Sequence, residues 1–124
     1  MLAHRYPAPQ KPARVTLIGA RSFVGRAIEQ QLHARGVASL PLTSEDLDLT
    51  QDAAAERLAA KLRPDDAIVM LAAITPDKGR DIATLMKNLA MMSSVCATVA
   101  AVGCAHFVYF SSDAVYPPDA SRVT

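Results

Sequence analysis

The chain has 124 residues, which suits one domain with a sizeable core and is too short for a cofactor domain plus a substrate domain. Hydrophobic residues make up 51% and charged residues 20%, as is typical of a globular protein. The 13 basic and 12 acidic residues nearly cancel, which gives no electrostatic reason to expect nucleic acid or an anionic membrane as a partner. Residues 1–13 contain three prolines and are predicted to form a flexible N-terminal arm before a domain over residues 14–124.

The join between the first two predicted elements is the most informative segment. A β-branched apolar run over residues 14–19 predicts a strand, and residues 22–35 show helical periodicity that ends at Gly36. Small residues at positions 19, 22 and 25 allow a tight turn whose N–H groups can approach a ligand closely. A strand, a tight turn and a helix N-terminus in this order indicate a diphosphate cradle in a dinucleotide-binding βαβ unit.

The later elements continue the alternation of strands and helices. They are predicted in this order: a strand over 37–42, a polar loop over 43–50, a helix over 52–62, a strand over 67–72, a loop over 75–80, a helix over 82–102, a strand over 106–111 and a loop over 113–124. Right-handed crossovers between such strands produce a parallel, doubly wound α/β sheet of the Rossmann type. We predict the strand order 3-2-1-4, with strands one and four on either side of the switch point where ligands bind.

One apolar stretch raises the question of a membrane span. Residues 89–104 are strongly apolar but fewer than the about 20 residues that a span needs. We therefore expect a buried amphipathic helix. The two cysteines, Cys96 and Cys104, lack metal-ligand spacing and are expected to be reduced, buried thiols in a cytoplasmic protein, and the three histidines show no pattern of metal ligands.

Four segments in order resemble the N-terminal part of the extended short-chain dehydrogenase/reductase family, and the resemblance covers about residues 14–124. Members of this family are NAD(P)-dependent epimerases, dehydratases and reductases of nucleotide sugars. The segments are the turn over 19–25, similar to GxxGxxG, then Leu47-Asp48-Leu49-Thr50, Leu71-Ala72-Ala73, and residues 110–117, similar to S-S-x-x-V-Y-G/P. The loop over 42–50 resembles two branches, the dTDP-4-dehydrorhamnose reductases and the GDP-fucose synthases. The domain is then a truncated Rossmann domain, because the second half of the fold and the substrate domain are absent from these residues.

The resemblance implies a set of cofactor-binding residues. They are Gly19, Arg21, Ser22, Phe23, Val24, Gly25, Thr43, Ser44, Asp48, Leu49, Leu71, Ala72, Ala73 and Ser111. The backbone amides at 19, 22 and 25 would meet the diphosphate, and the Asp48 carboxylate would lie near the adenine amino group. The alternatives are a glycine-containing turn without a ligand, and an Asp48 that caps the approach to the second helix.

The choice between NAD and NADP depends on the end of the second strand. An acidic residue there would bind the ribose 2′-hydroxyl and repel a 2′-phosphate, and this chain has none at that position. Arg21, Thr43 and Ser44 are available instead, which favours NADP. The alternatives are NAD as the cofactor and Arg21 as an ordinary surface residue.

The resemblance also implies a role in catalysis for Ser112, as a hydrogen-bonding group for a substrate oxygen, with Asp113 beside it. The alternative is an ordinary polar strand end. Asn88 matches a family asparagine and is expected to brace the central strands. The family's Y-x-x-x-K pair does not occur in these residues, so we expect no turnover from them alone.

Two functions remain open at this point. The first is the cofactor-binding part of a nucleotide-sugar epimerase, dehydratase or reductase, which transfers hydride at a sugar carbon and forms homo-oligomers. The second is a non-catalytic NAD(P)-binding or sensor module.

Overall fold

Strands and helices alternate along residues 8–112 and 116–117, which are the residues that the computed structural model describes. They are β1 (Arg14–Ile18), α1 (Phe23–Ala34), β2 (Ser39–Leu42), α2 (Ala54–Ala59), β3 (Asp66–Met70), α3 (Ile82–Val102) and β4 (His106–Tyr109). Each matches a predicted element, and α3 has the predicted bounds. Most of the predicted arm over 1–13 lies outside the described residues.

The four strands form one parallel sheet in the order β2-β1-β3-β4, so the predicted α/β class is confirmed and the predicted order 3-2-1-4 is wrong. Pro41 explains the difference. Val15 N–H donates to the Ala38 carbonyl at 2.9 Å and Gly19 N–H donates to the Leu42 carbonyl at 3.0 Å. Positions 38 and 42 therefore bond to β1, as does every second residue between them, because alternate residues of a strand bond to the same side. Pro41 belongs to the other set, so its nitrogen points away from β1. A proline cannot donate to a further strand there, so β2 lies at the edge of the sheet and β3 pairs with the other side of β1.

This order moves the switch point to the boundary between β1 and β3. On one face of the sheet, Val15 and Leu17 pack against Ile28 and Leu32 of α1. On the other face, buried residues of β1 and β3 pack against α2 and α3, and this cluster includes Leu58 and Val95. The two neighbouring strands therefore continue into helices on opposite faces, which opens a crevice between the loops that follow them.

Helix α3 is buried on one side and open on the other. Val95 and Thr98 are fully buried, and the Thr98 hydroxyl donates to the Ala55 carbonyl at 3.0 Å. The exposed side carries large apolar side chains, namely Ile82, Leu85, Met86 and Leu89. The predicted buried helix is thus confirmed for one face only. The expectation of buried cysteines is wrong, because Cys96 lies on the exposed side of α3 and Cys104 is half-buried. Among the described residues, α3 is the one helix long and apolar enough to cross a membrane, a test that core helices of soluble proteins also pass. The expected formation of homo-oligomers stays a prediction.

A buried ion pair joins the first residues of β1 and β3, which lie opposite each other in the sheet. Arg14 donates to the two carboxylate oxygens of Asp66 at 2.8 and 2.6 Å, and Asp66 is fully buried. The Thr16 hydroxyl and the Arg63 N–H also donate to this carboxylate, at 3.2 and 2.9 Å. Burial alone raises the pKa of Asp66, but the hydrogen bonds and charge of Arg14 and the Arg63 N–H outweigh it, so the pKa lies below its usual value.

Candidate functional site

A cleft of about 340 Å³ lies where β1, β2 and β3 end. The turn after β1, the loop after β2 and the loop after β3 form its walls. Its lining residues are Ile18, Gly19, Arg21, Ser22, Leu42, Thr43, Ser44, Leu47, Asp48, Leu49, Leu71, Ala72, Ala73, Ile74, Lys78 and Met91. Most of the predicted cofactor residues are therefore neighbours in space, although they come from three separate segments of the chain.

The glycines of the turn after β1 are required by close backbone contacts. Gly19 has a φ of +96°, and a Cβ at this position would lie 2.8 Å from the backbone nitrogen of Ala72. A Cβ on Gly25 would lie 2.7 Å from the carbonyl oxygens of Gly19 and Ala20. Gly19 lets the ends of β1 and β3 approach each other, and Gly25 lets α1 pack onto the turn. The packing of the chain thus needs both glycines, whether or not a ligand is bound.

The N-terminus of α1 faces the same turn and has free hydrogen-bond donors. Ser22 is the N-cap, and its hydroxyl accepts from Gly25 N–H at 3.0 Å. The N–H groups of Phe23 and Val24 lie in the first helical turn, where no acceptor inside the helix can reach them. Neither side chain lines the cleft, and that of Phe23 is 90% exposed. Any contribution of these two residues to binding therefore comes from their backbone.

Polar groups near the end of β2 are bonded to carboxylates of the chain itself. The Thr43 N–H and hydroxyl both donate to one oxygen of Asp46, at 2.8 Å each. Arg21 forms an ion pair with Glu45, which joins the turn after β1 to the loop after β2. The structure thus brings Arg21, Thr43 and Ser44 together at the cleft and places two carboxylates beside them.

Asp48 also lies in the cleft wall, where it shapes its own loop. One carboxylate oxygen accepts from the N–H and hydroxyl of Thr50, at 2.9 and 2.7 Å, and the other accepts from the Gln51 side chain at 3.1 Å. These hydrogen bonds, those of Thr50 first, lower the pKa of Asp48. Asp48 therefore stabilises the turn that precedes α2, whose own N-cap is Ala53. Contact of Asp48 with adenine stays a prediction.

The loop after β3 is held by α3. The Asn88 side chain accepts from Ile74 N–H at 2.8 Å and donates to the Ile74 carbonyl at 3.1 Å. Asn88 thus braces this loop, whereas the sequence analysis assigned it to the central strands.

Several cleft residues were missed by the sequence analysis, namely Ile18, Leu42, Leu47, Ile74, Lys78 and Met91. Ile18 and Leu42 end β1 and β2, so their positions at the carboxyl ends of strands could have identified them. Lys78 and Met91 belong to no motif in the sequence.

Ser111 and Ser112 are exposed and do not line the cleft. They follow β4, whose pairing with β3 extends to a hydrogen bond from Phe110 N–H to the Met70 carbonyl at 3.1 Å. They therefore lie at the same carboxyl edge of the sheet as the cleft. Asp113 is outside the described residues. Within residues 8–112 and 116–117, no three His, Cys, Asp or Glu side chains are placed to hold a metal ion.

Comparisons with known proteins extend these observations. The model of the NAD dependent epimerase/dehydratase family matches residues 15–124. No curated protein sequence matches the chain.

Three solved structures show the same fold. A GDP-L-fucose synthetase from Naegleria fowleri bound to NADP has a TM-score of 0.81 at 19% identity and covers 99% of this chain. A GDP-mannoheptose C4 reductase from Campylobacter jejuni with NADP bound has a TM-score of 0.71 at 20% identity and covers 91%. A short-chain dehydrogenase/reductase superfamily protein from Agrobacterium tumefaciens with bound NAD has a TM-score of 0.62 at 22% identity and covers 84%. This chain spans only 39%, 34% and 34% of those three chains.

Proposed function

Because the chain belongs to the NAD dependent epimerase/dehydratase family, we propose that its cleft binds NAD or NADP and that the chain is the cofactor-binding part of an enzyme acting on a nucleotide sugar. When bound, the nicotinamide gives or accepts a hydride at a sugar carbon. One observation carries the proposal: the cleft lies at the switch point between β1 and β3, next to the N-terminus of α1. Dinucleotides bind at this place in doubly wound sheets.

The N-terminus of α1 is the proposed diphosphate site. Phe23 and Val24 offer backbone N–H groups there, and the first turn of the helix contains no acidic side chain. Helix α3 provides a comparison within the molecule, because its N-cap is Asp81, whose carboxylate accepts from Thr84 N–H at 2.8 Å. That carboxylate offsets the positive end of α3. The neutral cap of α1 leaves its positive end available to an anion.

The walls on either side of this terminus fit the rest of a dinucleotide. Leu47 and Leu49 supply apolar surface in the wall after β2, which suits a purine ring. Asp48 lies between them, and a carboxylate has about four acceptor positions, of which three are occupied. The remaining position suits the adenine amino group. Across the cleft, Ala72 and Ala73 leave space beside β3 for the nicotinamide half.

A nucleotide sugar is proposed as the substrate because two of the similar structures carry names of enzymes of GDP-linked sugars. Ser112 is proposed to donate a hydrogen bond to a substrate oxygen at the carboxyl edge of the sheet. A serine hydroxyl has too high a pKa to deliver the proton efficiently, so a separate acid is needed for turnover. The family resemblance assigns that role to the tyrosine of the Y-x-x-x-K pair.

The test is a titration of the chain with NADH and with NADPH, by calorimetry or nicotinamide fluorescence, together with a Ser22→Asp variant. Aspartate caps helices as well as serine does, so α1 stays folded. It also places a negative charge where the diphosphate is proposed to bind. We expect wild type to bind at least one cofactor and Ser22→Asp to bind about tenfold or more weakly, because like charges in contact are strongly unfavourable.

The matched control is Asp81→Ser, the reverse exchange at the N-cap of α3, which does not line the cleft. We expect it to bind both cofactors as wild type does. A folded wild type that binds neither cofactor, or a Ser22→Asp variant with unchanged affinity, would show that the site is wrongly assigned. Because no turnover is expected from these residues alone, an enzyme is separated from a binding module by nucleotide-sugar-dependent cofactor oxidation in a protein that also carries the Y-x-x-x-K pair.

A further inference from the structure

We propose that Glu45 is a specificity-determining residue that disfavours NADP relative to NAD in this cleft, an inference that rests on the proposed function. Its carboxylate holds the guanidinium that the sequence assigns to the 2′-phosphate. The residue lies three positions after the end of β2, so the rule that looks for an acid at the strand end does not find it.

The argument starts from the geometry of Arg21. Its side chain lines the cleft, and one of its terminal nitrogens pairs with a Glu45 oxygen across 24 positions of sequence. The two side chains are 60% and 74% exposed. An exposed ion pair is weak and a charged ligand can displace it. Glu45 therefore competes with a charged ligand for Arg21, and the ion pair contributes little to the stability of the fold.

The second step concerns the other donor at this end of the cleft. Thr43 directs its N–H and its hydroxyl to Asp46, so the loop after β2 has already committed both groups to a carboxylate. A 2′-phosphate carries nearly two negative charges at neutral pH. To bind Arg21, the 2′-phosphate would have to displace Glu45 from it. It would also lie beside the Asp46 carboxylate.

A ribose 2′-hydroxyl experiences the same surroundings differently. It is uncharged, and it can donate a hydrogen bond to a carboxylate. The Arg21–Glu45 pair therefore disfavours a 2′-phosphate and leaves a 2′-hydroxyl unaffected or better bound. The sequence favours NADP because Arg21 is present, and the structure shows that this arginine already has a partner.

The experiment measures dissociation constants for NADPH and NADH with wild type, Glu45→Gln and Glu56→Gln. Glu45→Gln removes the charge that pairs with Arg21, a residue of the cleft wall, and retains the size of the side chain. Glu56→Gln makes the same charge change on an exposed position of α2, whose residues do not line the cleft. We expect the Kd for NADPH to fall about fivefold in Glu45→Gln, the size of one exposed ion pair, while the Kd for NADH changes less than about twofold.

Glu56→Gln should leave both constants unchanged. If Glu45→Gln shifts NADPH and NADH equally, or if Glu56→Gln produces the same selectivity, the inference about Glu45 is overturned and the cofactor site stands. If folded wild type binds neither cofactor, the proposed function itself is wrong, and the inference falls with it.

Discussion

The two edges of the sheet carry the same kind of ion pair in opposite surroundings. At the amino edge, Arg14 and Asp66 join the starts of β1 and β3, and the carboxylate is fully buried. At the carboxyl edge, Arg21 and Glu45 join the loops that follow β1 and β2, and both side chains are mostly exposed. The first pair has all its partners within the chain. The second pair is open to exchange with a ligand.

The difference shows that burial, and not the residue types, decides what such a pair does. Removing one partner of a buried pair leaves a charge without solvent or counter-charge, which destabilises a protein by several kcal/mol. Exposed pairs contribute about 0–1 kcal/mol, because water solvates both partners when they separate. The amino edge can therefore hold the fold while the carboxyl edge is free to bind a ligand.

The largest expected effect comes from removing the buried charge. Asp66→Asn should lower the free energy of unfolding by about 3–5 kcal/mol, because the mostly buried Arg14 loses the counter-charge to which it is directly bonded. The measurement is urea denaturation followed by circular dichroism. Glu45→Gln is the counterpart at the other edge and should leave the midpoint nearly unchanged. Equal losses in the two variants would remove the distinction between the edges.

A doubly apolar variant keeps this prediction testable if Asp66→Asn fails to fold. Arg14→Met combined with Asp66→Leu and Thr16→Val should recover part of the lost stability, since neither charge is then left alone and the buried Thr16 hydroxyl is removed together with its acceptor.

The pH dependence of stability should locate the same effect. The pKa of Asp66 is lower in the folded chain than its usual value of 3.8. Its contribution to stability is therefore complete above about pH 4–5 and is lost as the pH falls through the folded-state pKa. We expect the stability difference between wild type and Asp66→Asn to be constant near neutrality and to shrink on acidification. Exposed aspartates with lowered pKa, such as Asp46, are present in both proteins and cancel. A difference that grows towards pH 2 would contradict this prediction.

A smaller effect is expected where the carboxyl edge is braced by neutral groups. Asn88→Ala removes two hydrogen bonds to the backbone of Ile74 and should lower stability by about 1–3 kcal/mol. It should also weaken cofactor binding, because Ile74 lines the cleft. Ser93→Ala, at an exposed position of the same helix that does not line the cleft, is the control for both measurements. Unchanged cofactor affinity in Asn88→Ala would show that the loop does not need this brace.

The elements of the fold could be predicted because each has a strong local signal. The bounds of α3 were found because Asp81 caps its start and Gly103, with a φ of +84°, ends it. Helix α2 covers Ala54–Ala59, whereas the prediction was 52–62. Its N-cap residue, Ala53, has no side-chain hydrogen bond to the first turn of the helix. The strand order was missed because it depends on which side of β2 lacks a donor. Pro41 carries that information, but only once the register with β1 is known.

Part of the candidate site could likewise be predicted from the sequence, and part could not. Contiguous motifs placed Gly19, Ser22 and Ala72 at one cleft, because parallel strands end at one edge of the sheet. The pairing of Arg21 with Glu45 could not be predicted, because it joins two loops whose distance depends on the packing of the whole sheet.

Pro41 also gives the sheet a direction of growth. A strand that paired with the outer side of β2 would find the proline ring of Pro41 where an N–H donor is needed. One backbone hydrogen bond of that pairing would therefore be missing. The four residues of β4 contain no proline, so every backbone nitrogen on that strand carries a hydrogen. A newly added strand would therefore pair more completely beside β4, and because β4 does not line the cleft, the sheet can widen there without narrowing the entrance to the ligand.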